Sequence, residues 1–488
     1  MTDTIAAVPL SDSPAKQEAV SGGPFGIKGL AWAIFEGGRN PYYNLIVIYI
    51  FAPYFAEVMV GGGELGLTLS GLTITMAGIV TALTAPFLGV VADKAGRRKP
   101  LIFVFMAVMA ACSFALWWAR PEGPLTMWPT MAVLAIAYCC YGYSEVLHNA
   151  MLPAAGRPSA LPIISGLGLS MGNVLSVGIL IFFLFGLLLP GSGLPFAADS
   201  QLIPLDRATH EPQRFAGPFV AVWMTLLLIP FFVFMPDGLS RGLTWKQAAG
   251  DVFRGEDRNS GKPQTLMQRA SVFKNYLAQL FREHPQTMRF LIARTIYADA
   301  MAALLTLGAV FAKTFLGWSV VEILFFGITG VLFGAVGGFV GGALDRLLGP
   351  KLALVWEIAA LTILLLLQLS ITPDSLLFGL IPSGEPIWGS PFFDTLSDVT
   401  YFLFVIPVAI AVVASISSSR YMLVHIAPHD RIYAIAGTVT VWMGPGIVSL
   451  LTWLTGNQRI GMGGIGFMFL LGLIILWKVH APKRGFDA

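Results

Sequence analysis

Across 488 residues the chain is 56% hydrophobic and only 12% charged, with a mean hydropathy of +0.74. A soluble domain carries roughly a quarter charged residues, so this composition excludes a water-soluble fold and places the chain in a bilayer. The net charge of +3 implies no nucleic-acid partner.

Residues 1–24 are polar and lack the basic start, apolar middle and small-residue cleavage site of a secretory signal, so they read as a disordered cytoplasmic tail. Apolar runs long enough to span follow at Leu30 to Val58, Leu69 to Ala92, Leu101 to Ala119, Leu125 to Asn149, Leu161 to Leu189 and Gly217 to Met235. Pro41 and Pro53 kink the first and free backbone carbonyls within it. A charged segment separates these from six more runs: Arg289 to Phe311, Val320 to Ala343, Leu352 to Ile371, Leu396 to Val424, Ile432 to Leu454 and Ile460 to Val479. The expected architecture is an all-α membrane protein of twelve transmembrane helices in two six-helix bundles, over 25–236 and 287–480, with a cytoplasmic linker over 237–286 and a second short tail over 481–488. In the linker, Val272, Phe273, Tyr276, Leu277 and Leu280 recur at helical spacing and predict an amphipathic helix on the membrane surface.

Basic residues set the orientation. Lys94, Arg97, Arg98 and Lys99 after span two, and the basic residues of the linker, predict cytoplasmic faces, whereas the acidic loop from Thr372 to Thr395 has no Lys or Arg. Both termini are then cytoplasmic in an inner membrane. Cys112, Cys139 and Cys140 all lie in apolar runs and read as core filler. The sequence has no CxxC, HExxH or Walker-type loop, so it predicts no metal site, no cofactor and no catalytic residue.

The connection after span two reads GVVADKAGRRK (Gly89 to Lys99) and that after span eight reads GGALDRLLGPK (Gly341 to Lys351), an internal echo of the kind carriers show. The first copy resembles the GxxxDxxGRR signature of the major facilitator superfamily. That resemblance implies a cytoplasmic gate in which Gly89, Asp93, Arg97 and Arg98 form a latch favouring the outward-facing state, with Asp345 and Arg346 as the second-half counterparts. WAIFEGGRNPYYN (Trp32 to Asn44), HNAMLP (His148 to Pro153), SGLGLSMG (Ser165 to Gly172), FLIARTIYADA (Phe290 to Ala300), SSSRYMLVHIAP (Ser417 to Pro428) and MGPG (Met443 to Gly446) are similar to the vacuole-effluxer branch, the Atg22-like or unidentified-facilitator transporters, whose relatives include fungal vacuolar amino-acid exporters. The first helix departs from the branch pattern YDWANS, reading FEGGRN, with Glu36 in place of the acid.

Charged side chains inside a bilayer are costly and mark candidate functional positions. Glu36, Arg39, Asn40 and Tyr43 fall on one face of span one, with Glu36 and Arg39 expected to pair. Span four contributes Glu145, and span seven contributes Arg294, Tyr297 and Asp299, with an Arg294–Asp299 pair expected. Substrate or proton binding is expected in a shared cavity of these residues, whereas His148, Arg420 and His425 read as residues of the cytoplasmic mouth. Gly330, Gly334, Gly338 and Gly342, and Gly168 with Gly172 and Ser176, predict close helix contacts within one chain. The sequence therefore points to a monomeric secondary transporter that moves a small solute, such as an amino acid or organic anion, by alternating access with proton coupling. Export of another small molecule, or a transporter fold serving as a sensor or scaffold, are the alternatives.

Overall fold

The computed structural model describes residues 26–157, 161–191, 198–237, 247, 281–389, 391–426 and 442–480. Among the described residues eleven helices are long and apolar enough to cross a membrane, and a shorter apolar helix accompanies them. In chain order they are α1 (Ile27–Met59), α2 (Gly63–Ala95), α3 (Lys99–Ala115), α4 (Met127–Asn149), α5 (Leu161–Ile181, extended by a π-helical turn over Phe182–Leu188) and α6 (Glu211–Phe234). The second set is α7 (Pro285–Phe315), α8 (Val320–Leu348), α9 (Pro350–Leu369), α10 (Leu396–Ile426), the shorter α11 (Met443–Thr455) and α12 (Gln458–Trp477). The expected amphipathic helix and both tails lie outside the described residues.

The helices pack as two copies of one arrangement. α1 packs on α5 and α6, α2 on α4, and α3 on α4 and α6; likewise α7 packs on α11 and α12, α8 on α10, and α9 on α10 and α12. The helices are apolar around most of their circumference, so small residues decide how closely the axes approach. Gly168 packs against Trp32 and the Glu36 stem, and Gly172 against Asn40, which seats α5 on α1. In α8 the observed contact differs from the expected stripe. Gly337 and Gly341 lie against the α10 backbone at Ile410 and Ala414, whereas Gly338 and Gly342 face open space. A strict four-residue repeat drifts around a helix of 3.6 residues per turn, and the contact follows the geometry.

α1 is irregular. It is α-helical to Pro41, π-helical over Tyr42–Tyr49, and π-helical again over Phe55–Met59. Pro41 has no N–H for the Gly37 carbonyl, and the Trp223 indole of α6 donates to that oxygen instead, at 3.1 Å. Trp223→Phe leaves this buried acceptor without its partner and is expected to cost about 1–3 kcal/mol, read as an earlier unfolding midpoint in detergent micelles.

The two bundles meet at the end away from the basic α2–α3 turn. Gly71 of α2 abuts Ser449 and the Pro445 carbonyl of α11, Gly66 lies against Thr314 of α7, Gly446 packs on Thr75, and Gly327 of α8 packs on the ring of Tyr49. All of these positions lie in the half of α2 or α8 remote from Ala95 and Leu348. The bundles are therefore closed together at that end, with α2 on α11 and α7 on α1 and α2 as the principal seams.

Candidate functional site

Towards the basic end, α1 and α4 bring together a cluster of ionisable side chains. Arg39 Nη2 pairs with Glu36 Oε2 at 2.7 Å, and Nη1 lies 3.5 Å from Glu145 Oε2. The same guanidinium donates to the Tyr141 carbonyl at 3.3 Å and stacks over the Tyr141 ring, 4.4 Å from its centroid. Arg39 is 3% exposed and Glu36 16%, whereas Glu145 is 48% exposed, so the cluster is sealed on one side and open on the other. Helical spacing accounts for this arrangement: Glu36 and Arg39 are three residues apart on α1, and Tyr141 and Glu145 four apart on α4. The partly exposed Glu36, Asn40 and Tyr43 mark one accessible stripe of α1, with Tyr43 stacked on Tyr141.

His148, expected near the cytoplasmic mouth of span four as either a hydrated or a packed residue, is the packed one. It is fully buried, not hydrated at a mouth, with its ring stacked between Trp32 at 4.3 Å and Phe35 at 4.1 Å. Its Nε2 lies 3.1 Å from the Trp32 carbonyl, and its Nδ1 lies 3.1 Å from Glu36 Oε1. The Trp32 indole returns a hydrogen bond to the His148 carbonyl at 3.1 Å. Polarity alone suggests that His148 lies near water; the aromatic residues Trp32 and Phe35, one helical turn apart, are the signal for burial.

Deeper along α1, Tyr42 and Tyr138 lie within reach of the Tyr141 ring, and an apolar pocket lined by Tyr42, Ile46, Ser70, Thr73, Tyr138 and Thr306 joins α1, α2, α4 and α7. The Tyr42 and Ser70 hydroxyls there are buried without a hydrogen-bond partner.

The expected second-half group is not assembled. Arg294, Tyr297 and Asp299 do not share a face, because five residues rotate the helix by about 140° between Arg294 and Asp299. Asp299 is fully buried, with Oδ2 accepting from the Met443 backbone N–H at 2.8 Å, so it caps the start of α11 rather than pairing with Arg294. Gly444 makes this possible, since a side chain there would strike the Asp299 carbonyl. Tyr297 is also fully buried, and its hydroxyl hydrogen bonds to Ser419 at 2.7 Å. Arg294 is half-buried and within electrostatic range of the exposed Arg420 of α10, which in turn interacts with Glu145 across the bundle boundary. The surroundings of the His425 side chain lie outside the described residues.

Of the residues expected in a gate, Gly89 and Asp93 lie in the last turns of α2, and the surroundings of their side chains fall outside the described residues. Arg97 is exposed. Arg98 Nη1 donates to the Ala150 carbonyl at the end of α4 at 2.9 Å, and the Arg98 and Lys99 backbone N–H groups donate to Asp237 at 2.8 and 3.2 Å. Asp237, which no motif singles out, thus holds the start of α3, where a helix attracts negative charge. The second-half counterparts meet different surroundings. Arg346 is exposed and donates to the Gly342 carbonyl, while Asp345 is buried beside Ser418, whose hydroxyl donates to Glu357 at 3.0 Å. Adjacent helix positions point about 100° apart, which separates the two side chains. Among the described residues no group of His, Cys, Asp and Glu is arranged to hold a metal ion.

The architecture is shared with solved transporters. The xylose transporter XylE from E. coli, in a partially occluded inward-open conformation, superimposes with a TM-score of 0.62 at 12% identity, over 95% of this chain and 99% of that one. A variant of the nucleoside transporter NupG gives 0.56 at 14% identity over 92% and 98%. An inward-facing bacterial homologue of the iron transporter ferroportin gives 0.57 at 12% over 93% and 98%. No curated protein matches the chain in sequence. The family model described as "Vacuole effluxer Atg22 like" matches residues 68–487. With twin six-helix bundles and this match over most of its length, the chain is a multi-pass membrane transporter of the major facilitator type and belongs to the Atg22-like vacuole effluxer family.

Proposed function

We propose that the protein moves a small carboxylate-bearing solute, an amino acid or organic anion, by alternating access with proton coupling, and that it acts as a monomer in the cytoplasmic membrane with its basic end facing the cytoplasm. The observation that carries this reading is Arg39, a buried cation shared by Glu36, the exposed Glu145 and the Tyr141 ring. A guanidinium with two acidic partners can exchange one of them for a ligand carboxylate without becoming an unpaired buried charge. Arg294 and Arg420 add positive charge from the other bundle. Positive-inside topology supports the orientation, and closure at the opposite end supports a state open towards the cytoplasm.

Thermal stability of the purified protein tests the reading. Small carboxylic acids, screened beside their methyl esters, are expected to raise the unfolding temperature where the esters do not, and Arg294→Gln is expected to weaken the shift at least fivefold in apparent affinity. Equal stabilisation by acid and ester removes the carboxylate assignment.

A further inference from the structure

Both ring nitrogens of His148 face acceptor oxygens. Nε2 is 3.1 Å from the Trp32 backbone carbonyl, which can only accept. Nδ1 is 3.1 Å from Glu36 Oε1 and has no aligned hydrogen-bond partner, so the Glu36 carboxyl is the polar group that answers it. A neutral imidazole carries one N–H, and either tautomer leaves a nitrogen lone pair directed at an oxygen. The contact is satisfied when one more proton is present, on Nδ1 as an imidazolium or on Oε1 as a carboxylic acid. Rotation offers no relief, because Trp32 and Phe35 hold the ring on its two faces and His148 is fully buried.

We infer that Glu36 and His148 hold one exchangeable proton between Oε1 and Nδ1, making the junction of α1 and α4 the proton-binding site of the carrier. The inference deepens the proposed transport reading by naming where the coupling proton resides. The charged neighbours are placed for this use. On α1, Arg39 holds Glu36 Oε2 and keeps Oε1 turned to the histidine. On α4, Glu145 and Tyr141 contact Arg39 rather than the imidazole. From α5, Gly168 packs on the Glu36 stem, and from α6, Phe231 lies against the ring; neither titrates. From the second bundle, Arg420 lies in electrostatic range of Glu145 and of Arg294. The proton exchanges through Glu36, which is partly exposed where His148 is not. When it leaves, a carboxylate faces an imidazole lone pair and the α1–α4 contact weakens. A ligand carboxylate that draws Arg39 away from Glu36 favours the proton's return, so solute and proton support each other's binding.

Trp32 supplies a readout that needs no solute. An imidazolium stacked on an indole quenches its fluorescence more strongly than a neutral imidazole and interacts with its π face. The intrinsic fluorescence of the full-length protein in detergent micelles is followed from pH 4 to pH 9, and the Trp32 component is isolated as the difference from Trp32→Phe. The expected result is a single titration in wild type, lost in His148→Gln, with a midpoint displaced by at least one pH unit towards acid in Glu36→Gln, which removes the carboxylate supporting the proton. A Trp32 component that does not titrate, or one whose midpoint is unchanged in Glu36→Gln, overturns the proposal. Should Glu36→Gln fail to fold, selective 15N-histidine labelling of wild type and His148→Gln decides: protonation of both His148 nitrogens at low pH with loss of one proton on raising the pH is expected, and a ring with a single N–H throughout together with a Trp32 component that does not titrate overturns it. None of these measurements depends on the carboxylate-solute reading, so each fails separately.

Discussion

Arg39→Leu is expected to destabilise the folded protein by about 3–5 kcal/mol, because removing one partner of a buried ion pair leaves the other charge uncompensated. Glu36 loses its 2.7 Å partner, Glu145 its 3.5 Å neighbour, and the Tyr141 ring the cation stacked on it. The loss is expected to be markedly non-additive: Arg39→Leu with Glu36→Leu removes both charges of the pair and recovers much of the stability, since a buried pair replaced by apolar groups of similar volume is close to neutral. Reversible denaturation in mixed detergent micelles, with the two single variants and the double variant, measures the coupling. Additive losses would mean that the pair is not buried in the membrane protein as it folds. The double variant also separates folding from transport, as it is expected to fold and yet bind no carboxylate.

The second large effect concerns conformation. Gly71 of α2 lies so close to Ser449 and the Pro445 carbonyl of α11 that any side chain there overlaps them in the closed arrangement. Gly71→Val is expected to disfavour closure at this end by about 1–3 kcal/mol, a roughly five- to 150-fold shift towards the state in which α2 and α11 separate. Spin labels at the exposed Leu65 and Leu454, in a background without Cys112, Cys139 and Cys140, read the distance between the two helix ends by pulsed electron resonance. A longer, broader distribution in Gly71→Val is expected, with a smaller change in Gly338→Val, whose Cβ meets open space. Identical distributions in Gly71→Val and the parent would show that this seam does not hold the bundles together.

Much of the molecule is legible in its sequence. Apolar runs between charged turns each coincide with a helix, although the first part of the run from Ile432 lies outside the described residues, since only about 20 apolar residues cross a bilayer and few other patterns do. The duplicated Gly–Asp–basic turns point to two related bundles. Helical spacing on α1 is sufficient to predict the Glu36–Arg39 pair, because three residues bring side chains to one face regardless of what surrounds them.

What the sequence could not specify was which face each remaining polar residue would meet. Arg294, Tyr297 and Asp299 lie within two turns of α7, yet one is in electrostatic range of Arg420, one bonds to Ser419 and one caps α11. Those partners lie more than a hundred residues away in the chain. The burial of His148 against Trp32, Phe35 and Glu36, and the placement of Asp345 beside Ser418 and Glu357, likewise depend on helices docked by contacts between small residues. By itself the sequence determined membrane residence, the repeated helices and the pair within α1, because each follows from hydropathy or local periodicity. Only the tertiary structure decided which charges meet across helices, because a helix carries side chains on every side and its rotation is set by the neighbours it packs against.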